Sequence, residues 1–208
     1  MVEVYFYLPA GHVENAVECG VKLSDWYSKE IELDGGIRKC LSALLNPRDD
    51  MKKYMSSEFK CLKMEIMTKY CYIADGLLYK TGLTNGEAMD MYLRTIVPVE
   101  KYSFGYFRLP ECLVVSTVIG DYVSILDKRL DSPVLYNNSE ELYVGNIMED
   151  FKEKYNNFND ALLYSFFLKL AQNGAYRVIV DEDGGIAVFI DNADEKVYTI
   201  RIPDLGSY

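Results

Sequence analysis

Apolar and polar positions follow one kind of pattern up to about residue 126 and another beyond it. Val2 to Leu8 is β-branched and aromatic and predicts a strand, broken by Pro9-Ala10-Gly11. Val13, Ala16 and Val17 then mark one face of a short helix, with Gly20 in the left-handed stop position. Val21 to Ile31 is mixed and holds the single Trp26, and Asp34-Gly35-Gly36 is a turn signal. A second strand spans Arg38 to Leu45 and stops at Asn46-Pro47, because Pro fixes φ and lacks an N–H. Asp49 and Asp50 open a short helical pattern, acids at its positive end, with Met51 and Tyr54 on one face. Phe59 to Met67 alternates as a strand, Phe59, Cys61 and Lys63 on one face and Leu62, Met64 and Ile66 on the other. Thr84-Asn85-Gly86-Glu87 reads as a capping box with Thr84 at the N-cap, opening a helix to about Thr95. Pro98 ends that unit, and Ser103–Leu109 and Glu111–Val118 are strand material interrupted by Pro110.

Beyond residue 126, Ser139 caps a helical pattern with Tyr143, Ile147, Phe151 and Tyr155 at four-residue steps. Asn157 or Asn159 caps a second helix that ends at Asn173-Gly174. Three short strands follow, Tyr176–Asp181, Gly185–Asp191 and Lys196–Ile202, with turns at Asp183-Gly184-Gly185 and Asn192-Ala193-Asp194. Strands separated by short helices, then two helices and a three-stranded meander, predict an α+β chain with a core at 1–126 and an extension at 127–208.

Composition narrows the function classes more than it names one. Half of the 208 residues are apolar, so a sizeable core is expected. The net charge of −10 is concentrated late, with 8 Lys and Arg against 15 Asp and Glu in 127–208. Such a balance suits non-specific phosphate binding poorly. Five cysteines, without a C-x-x-C pair and mostly among apolar neighbours, point to a reduced, cytoplasmic chain. His12 is the only histidine, which argues against a His-based zinc site or a Ser-His-Asp triad. The apolar patch Val4–Ala10 is too short for a signal peptide, and no run of about eighteen apolar residues exists, so no membrane span is expected.

The stretch from Leu41 to Tyr54 carries the chemistry. A strand, a Pro stop, Arg48 and a helix present a guanidinium fork at a strand end, where ligands are often met. With its neighbours this order resembles the ADP-ribosyltransferase fold, nearest to the DarT-type nucleic-acid ADP-ribosyltransferases. The aromatic strand Val4-Tyr5-Phe6-Tyr7 runs into a helix ending at Gly20-Val21, and Asn46-Pro47-Arg48 is followed by Met51 and Tyr54. Pro110-Glu111-Cys112-Leu113-Val114-Val115 is similar to the family's glutamate at the start of an aliphatic strand, and Gly120–Ile125 to the strand closing the sheet. The resemblance covers residues 1–126.

It implies an antiparallel or mixed β core with short helices, and NAD as the substrate. Transfer of ADP-ribose passes through an oxocarbenium-like state, which a carboxylate beside the ribose stabilises. Glu111 is implied for that role, Arg48 for positioning the diphosphate or ribose, and Tyr5, Tyr7 and Tyr54 as aromatic walls for NAD. No metal is implied. The resemblance implies a nucleic acid or a protein as the acceptor, as in a toxin or defence protein. Where the family's first strand carries a histidine, this chain reads Tyr5-Phe6-Tyr7. That leaves a second expectation open, a fold relative without catalysis that serves as a binding or assembly module. Its acidic, tyrosine-rich part, 127–208, would then hold a protein partner or a second copy of the chain.

Overall fold

The computed structural model describes residues 1–126 and 160–204. The chain divides into two compact units, one of Met1–Gly76 with Tyr92–Asp131, the other of Leu77–Met91 with Ser132–Tyr208. The sequence placed one boundary at 126; the division adds Leu77–Met91 to the second unit.

The first unit is built on a sheet of eight strands. They are β1 (Val2–Pro9), β2 (Lys29–Leu33), β3 (Gly36–Leu44), β4 (Phe59–Ile66), β5 (Cys71–Asp75), β6 (Val97–Pro98), β7 (Pro110–Val114) and β8 (Val123–Ile125). Their order is β6-β5-β7-β3-β1-β4-β8, and β2 pairs with β3 outside that path. Every pairing is antiparallel. Short helices α1 (Val13–Cys19), α2 (Leu23–Trp26) and α3 (Met51–Met55) connect the early strands. The coarse expectation of an α+β chain with short helices therefore holds.

Strand alternation decides what the sheet buries. Val4 and Leu8 on β1, Leu41 and Ala43 on β3, Leu62 and Met64 on β4 and Cys112 and Val114 on β7 form one core with Cys71 and Ile73. The intervening residues, Tyr5, Tyr7, Ser42, Leu44 and Glu111 among them, face the other side. Asp34 and Gly35 join β2 to β3 as a two-residue loop, with φ of 53° and 77°. Positive φ at both positions is the twist-matched hairpin turn that Asp-Gly favours.

Three sequence expectations are corrected. Gly20 follows α1 with φ 87° and ψ 172°, extended rather than left-handed helical, because Val21 enters a bridge with Val118. The 103–109 stretch is bends and turns, not a strand, and Pro110 is the first residue of β7 instead of an interruption. The helix α5 (Gly86–Thr95) is capped by Asn85, whose Oδ1 accepts from the Ala88 N–H at 3.0 Å. Thr84 instead donates its hydroxyl to the Thr81 carbonyl, so the cap sits one residue later than the box pattern predicts. Both β5 and the helix α4 (Gly76–Gly82) lie where the sequence had assigned no element.

In the second unit, helix α6 (160–172) packs on a meander of β9 (Tyr176–Asp181), β10 (Ile186–Asp191) and β11 (Val197–Arg201). The three strands and both turns lie where the sequence placed them. Phe167 is the centre of this core, 4.8 Å from the Tyr198 ring and 5.4 Å from Phe189. Gly174 at φ 78° ends α6, its own N–H bonded to Ala171 and that of Ala175 to Leu170, each at 3.0 Å. This is the paired-bond helix stop that glycine supplies. The Ser139 helix and the Asn157 or Asn159 cap lie outside the described residues.

Among the described residues, no helix is long and apolar enough to cross a membrane. Four of the five free cysteines are buried and Cys19 alone is exposed. Iodoacetamide is therefore expected to alkylate the folded protein once, at Cys19, read as a single adduct in the intact mass. A second adduct before denaturation would contradict that burial.

Candidate active site

Glu111 is the second residue of β7, paired with Leu44 of β3 on one side and Ala74 of β5 on the other. A carboxylate here is interior to the sheet, and the residue is 6% exposed. The edge-strand position facing water that a lone acid would favour is thus not where Glu111 lies. Burying an anion is costly unless it is paired and hydrogen-bonded.

Its partners come from three other elements. Lys29 Nζ lies 2.5 Å from Glu111 Oε1, and the Tyr92 hydroxyl donates to the same oxygen at 2.9 Å. Ser42 donates its hydroxyl to Oε2. Lys29 Nζ is also 3.5 Å from the Tyr92 oxygen and 5.3 Å from the centre of its ring. Carboxylate and ammonium are each 8% exposed as side chains. The result is a closed polar cluster in which both carboxylate oxygens have donors.

The local fold explains why these groups converge. Ser28 donates its N–H to the Cys40 carbonyl at 2.9 Å and accepts the Ser42 N–H at 3.2 Å, which fastens the start of β2 to β3. Lys29 then pairs opposite Cys40, in the same alternation phase as buried Ile31 and Leu33. Cys40 and Ser42 share that face of β3, and burial pushes the Cys40 thiol up to about 11. Tyr92 sits one helical turn after Ala88 on the buried stripe of α5, both fully buried.

The other expected residues divide between this face and the end of β3. Tyr5 pairs with Leu44, so Tyr5, Leu44 and Glu111 form a continuous row. Two strand spacings, roughly 10 Å, separate Tyr5 from Glu111 along it. The Tyr5 hydroxyl donates to Glu3, which holds that carboxyl below its ordinary range. Tyr7 is buried and donates to the Pro47 carbonyl at 2.7 Å, folding the turn after β3 back over this face. Burial drives its phenol far above its usual range, with Cys61 and Asp50 beside it acting in the same direction.

Arg48 lies in that 3-10 turn, Pro47–Asp50, where the Asn46 side chain accepts the Arg48 N–H at 3.0 Å. Its guanidinium is exposed, 5.9 Å from the centre of the Tyr54 ring. Tyr5, Tyr7 and Glu111 therefore share a sheet face, and Arg48 and Tyr54 adjoin one another beyond the end of β3. No bond joins Arg48 to the Glu111 cluster among the described residues. His12 caps α1 at the surface and packs edge-on against Trp26 at 5.3 Å, outside the cluster.

The chain matches no protein-family model, no curated protein and no solved structure. Lys29, Ser42 and Tyr92 were missed by the sequence. The one local signal was Lys29, a cation in the inward phase of Lys29-Glu30-Ile31-Glu32-Leu33. The segment 102–109 that feeds β7 adds two exposed rings, Phe104 at 88% and Tyr106 at 59%. Phe104 packs edge-on against Tyr102 and Tyr106 edge-on against buried Phe107, and Tyr102 and Phe107 stack on one another at 5.4 Å. Among the described residues, no group of three or more His, Cys, Asp or Glu is placed to hold a metal ion.

Proposed function

We propose that the chain is an NAD-dependent ADP-ribosyltransferase in which Glu111 is the catalytic carboxylate. The observation that carries the reading is a glutamate on a central strand, fixed by Ser42 and Tyr92, on the sheet face that also bears Tyr5 and Tyr7. A carboxylate held in place by neutral donors is preorganised to accept a ribose hydroxyl and to face positive charge at the anomeric carbon. In the reaction the C1′–N bond breaks and its electron pair leaves with nicotinamide. A lone pair of the acceptor closes the new bond at C1′, and the acceptor's proton passes to solvent. Arg48 supplies a fork for the diphosphate, with Tyr54 beside it. Phe104 and Tyr106 offer apolar surface, immediately before β7, to a nucleic-acid or protein acceptor.

A second reading has its own observation. The Lys29 ammonium neutralises Glu111, as expected of a fold relative that binds or assembles without catalysis. Nicotinamide release separates the two. Purified protein with NAD and added DNA, RNA or protein extract is expected to release nicotinamide, and Glu111→Gln to lower the rate at least about a hundredfold. Release that is absent favours the binding module, and release that survives Glu111→Gln removes Glu111 from the catalytic role.

A further inference from the structure

Resting on the ADP-ribosyltransferase reading, we propose that Lys29 is a charge latch on Glu111, opened when its ammonium moves from the carboxylate to the diphosphate of the incoming dinucleotide.

The starting point is occupancy. Oε1 receives both Lys29 and Tyr92, and Oε2 receives Ser42. A carboxylate with a cation 2.5 Å away presents little net charge to a carbon several ångströms further on. The resting arrangement therefore opposes the task that the carboxylate performs in ADP-ribosyl transfer. One of its three partners has to leave, and their chemistry says which.

Ser42 is a short side chain on β3, held between two strands, and Tyr92 is fully buried on α5. Neither carries charge that cancels the carboxylate. Lys29 is the first residue of β2, with four methylenes between its backbone and its ammonium. Its charge is a rotatable point on a flexible stem, unlike a rigid guanidinium fork.

An ammonium so little exposed does not leave one anion without meeting another. A pyridinium dinucleotide brings both halves of the exchange. Its diphosphate receives Lys29, and its cationic nicotinamide riboside takes the place at Glu111. Charge pairing is kept on both sides, with no bond made or broken. A nicotinamide riboside without phosphate offers the ammonium nowhere to go. Lys29 is thus a positioning residue that makes uncovering of the carboxylate depend on a phosphorylated substrate.

Nicotinamide release from NAD and from nicotinamide riboside tests this in wild type, Lys29→Gln and Lys29→Arg. Glutamine keeps a neutral amide donor on this side of Glu111 without the charge, and it costs the fold less than an apolar side chain would. Wild type and Lys29→Arg are expected to prefer NAD strongly in kcat/KM. In Lys29→Gln that preference is expected to fall at least tenfold, through a higher KM for NAD and a faster riboside reaction. An unchanged preference in Lys29→Gln, alongside wild-type release from NAD, overturns the latch and leaves the transferase reading intact. No wild-type release from either compound overturns both.

Discussion

Lys29→Met is expected to lower the free energy of unfolding by about 3–5 kcal/mol, the range for leaving one member of a buried ion pair alone. Both side chains are 8% exposed, so water cannot replace the lost ammonium. Tyr92 and Ser42 still donate to the stranded carboxylate, which holds the loss toward the lower end. The companion variant sharpens the test. Lys29→Met with Glu111→Leu removes both charges and refills the space with apolar atoms, and it is expected to recover most of the stability. Urea denaturation of wild type, Lys29→Met, Glu111→Leu and the double variant gives the coupling energy directly. A loss below about 1 kcal/mol in the single variant would place the pair with solvated surface bridges, and the cluster would lose its claim to be preorganised.

What the sequence disclosed was local. Asp34-Gly35-Gly36 announced a turn because glycine takes positive φ freely, and β4 announced its faces because alternation is a two-residue property. The meander of the second unit was legible for the same reason. The Glu111 cluster was not. Its acid was marked only by a family resemblance, and its partners lie 82, 69 and 19 residues away at Lys29, Ser42 and Tyr92. Which strands become neighbours is set by the packing of the whole sheet, and no window of ten residues contains it. The error at Thr84 has the same origin on a smaller scale. Thr84 and Asn85 are both good caps, and only the bond that the Ala88 N–H donates to Asn85 Oδ1 decides between them. At 103–109 the aromatic residues read as strand by propensity, yet they flank a turn whose Gly105 has φ 84°. Of these rings Phe104 and Tyr106 stand exposed and Phe107 is buried.

Gly20→Ala is expected to cost about 3–5 kcal/mol through backbone strain and lost backbone bonds rather than lost side-chain contact. Gly20 has φ +87°, and a Cβ there would lie 2.2 Å from the Val118 carbonyl oxygen and 2.9 Å from the Ile119 Cα. Those are main-chain atoms, so no side-chain rotation relieves the clash. The chain would have to retreat from a bridge in which Val21 donates to Val118 at 2.7 Å and Val118 donates back at 3.0 Å. Val21 and Val118 are both buried in the core, so retreat opens a cavity as well. Gly11→Ala is the control, since a Cβ there meets nothing within 4 Å, and its change is expected within about 0.5 kcal/mol. Chemical denaturation measures both, and amide exchange at Val21 and Val118 reports whether the bridge itself has opened. A Gly20→Ala protein within 1 kcal/mol of wild type, with both amides still protected, would refute the clasp. Its loss reaches the site through the chain on either side. Val21 leads through α2 to Lys29, and Val118 follows the strand that carries Glu111. The clasp therefore ties together the two segments that bring the ammonium to the carboxylate, and Gly20→Ala is expected to weaken their pairing along with the fold.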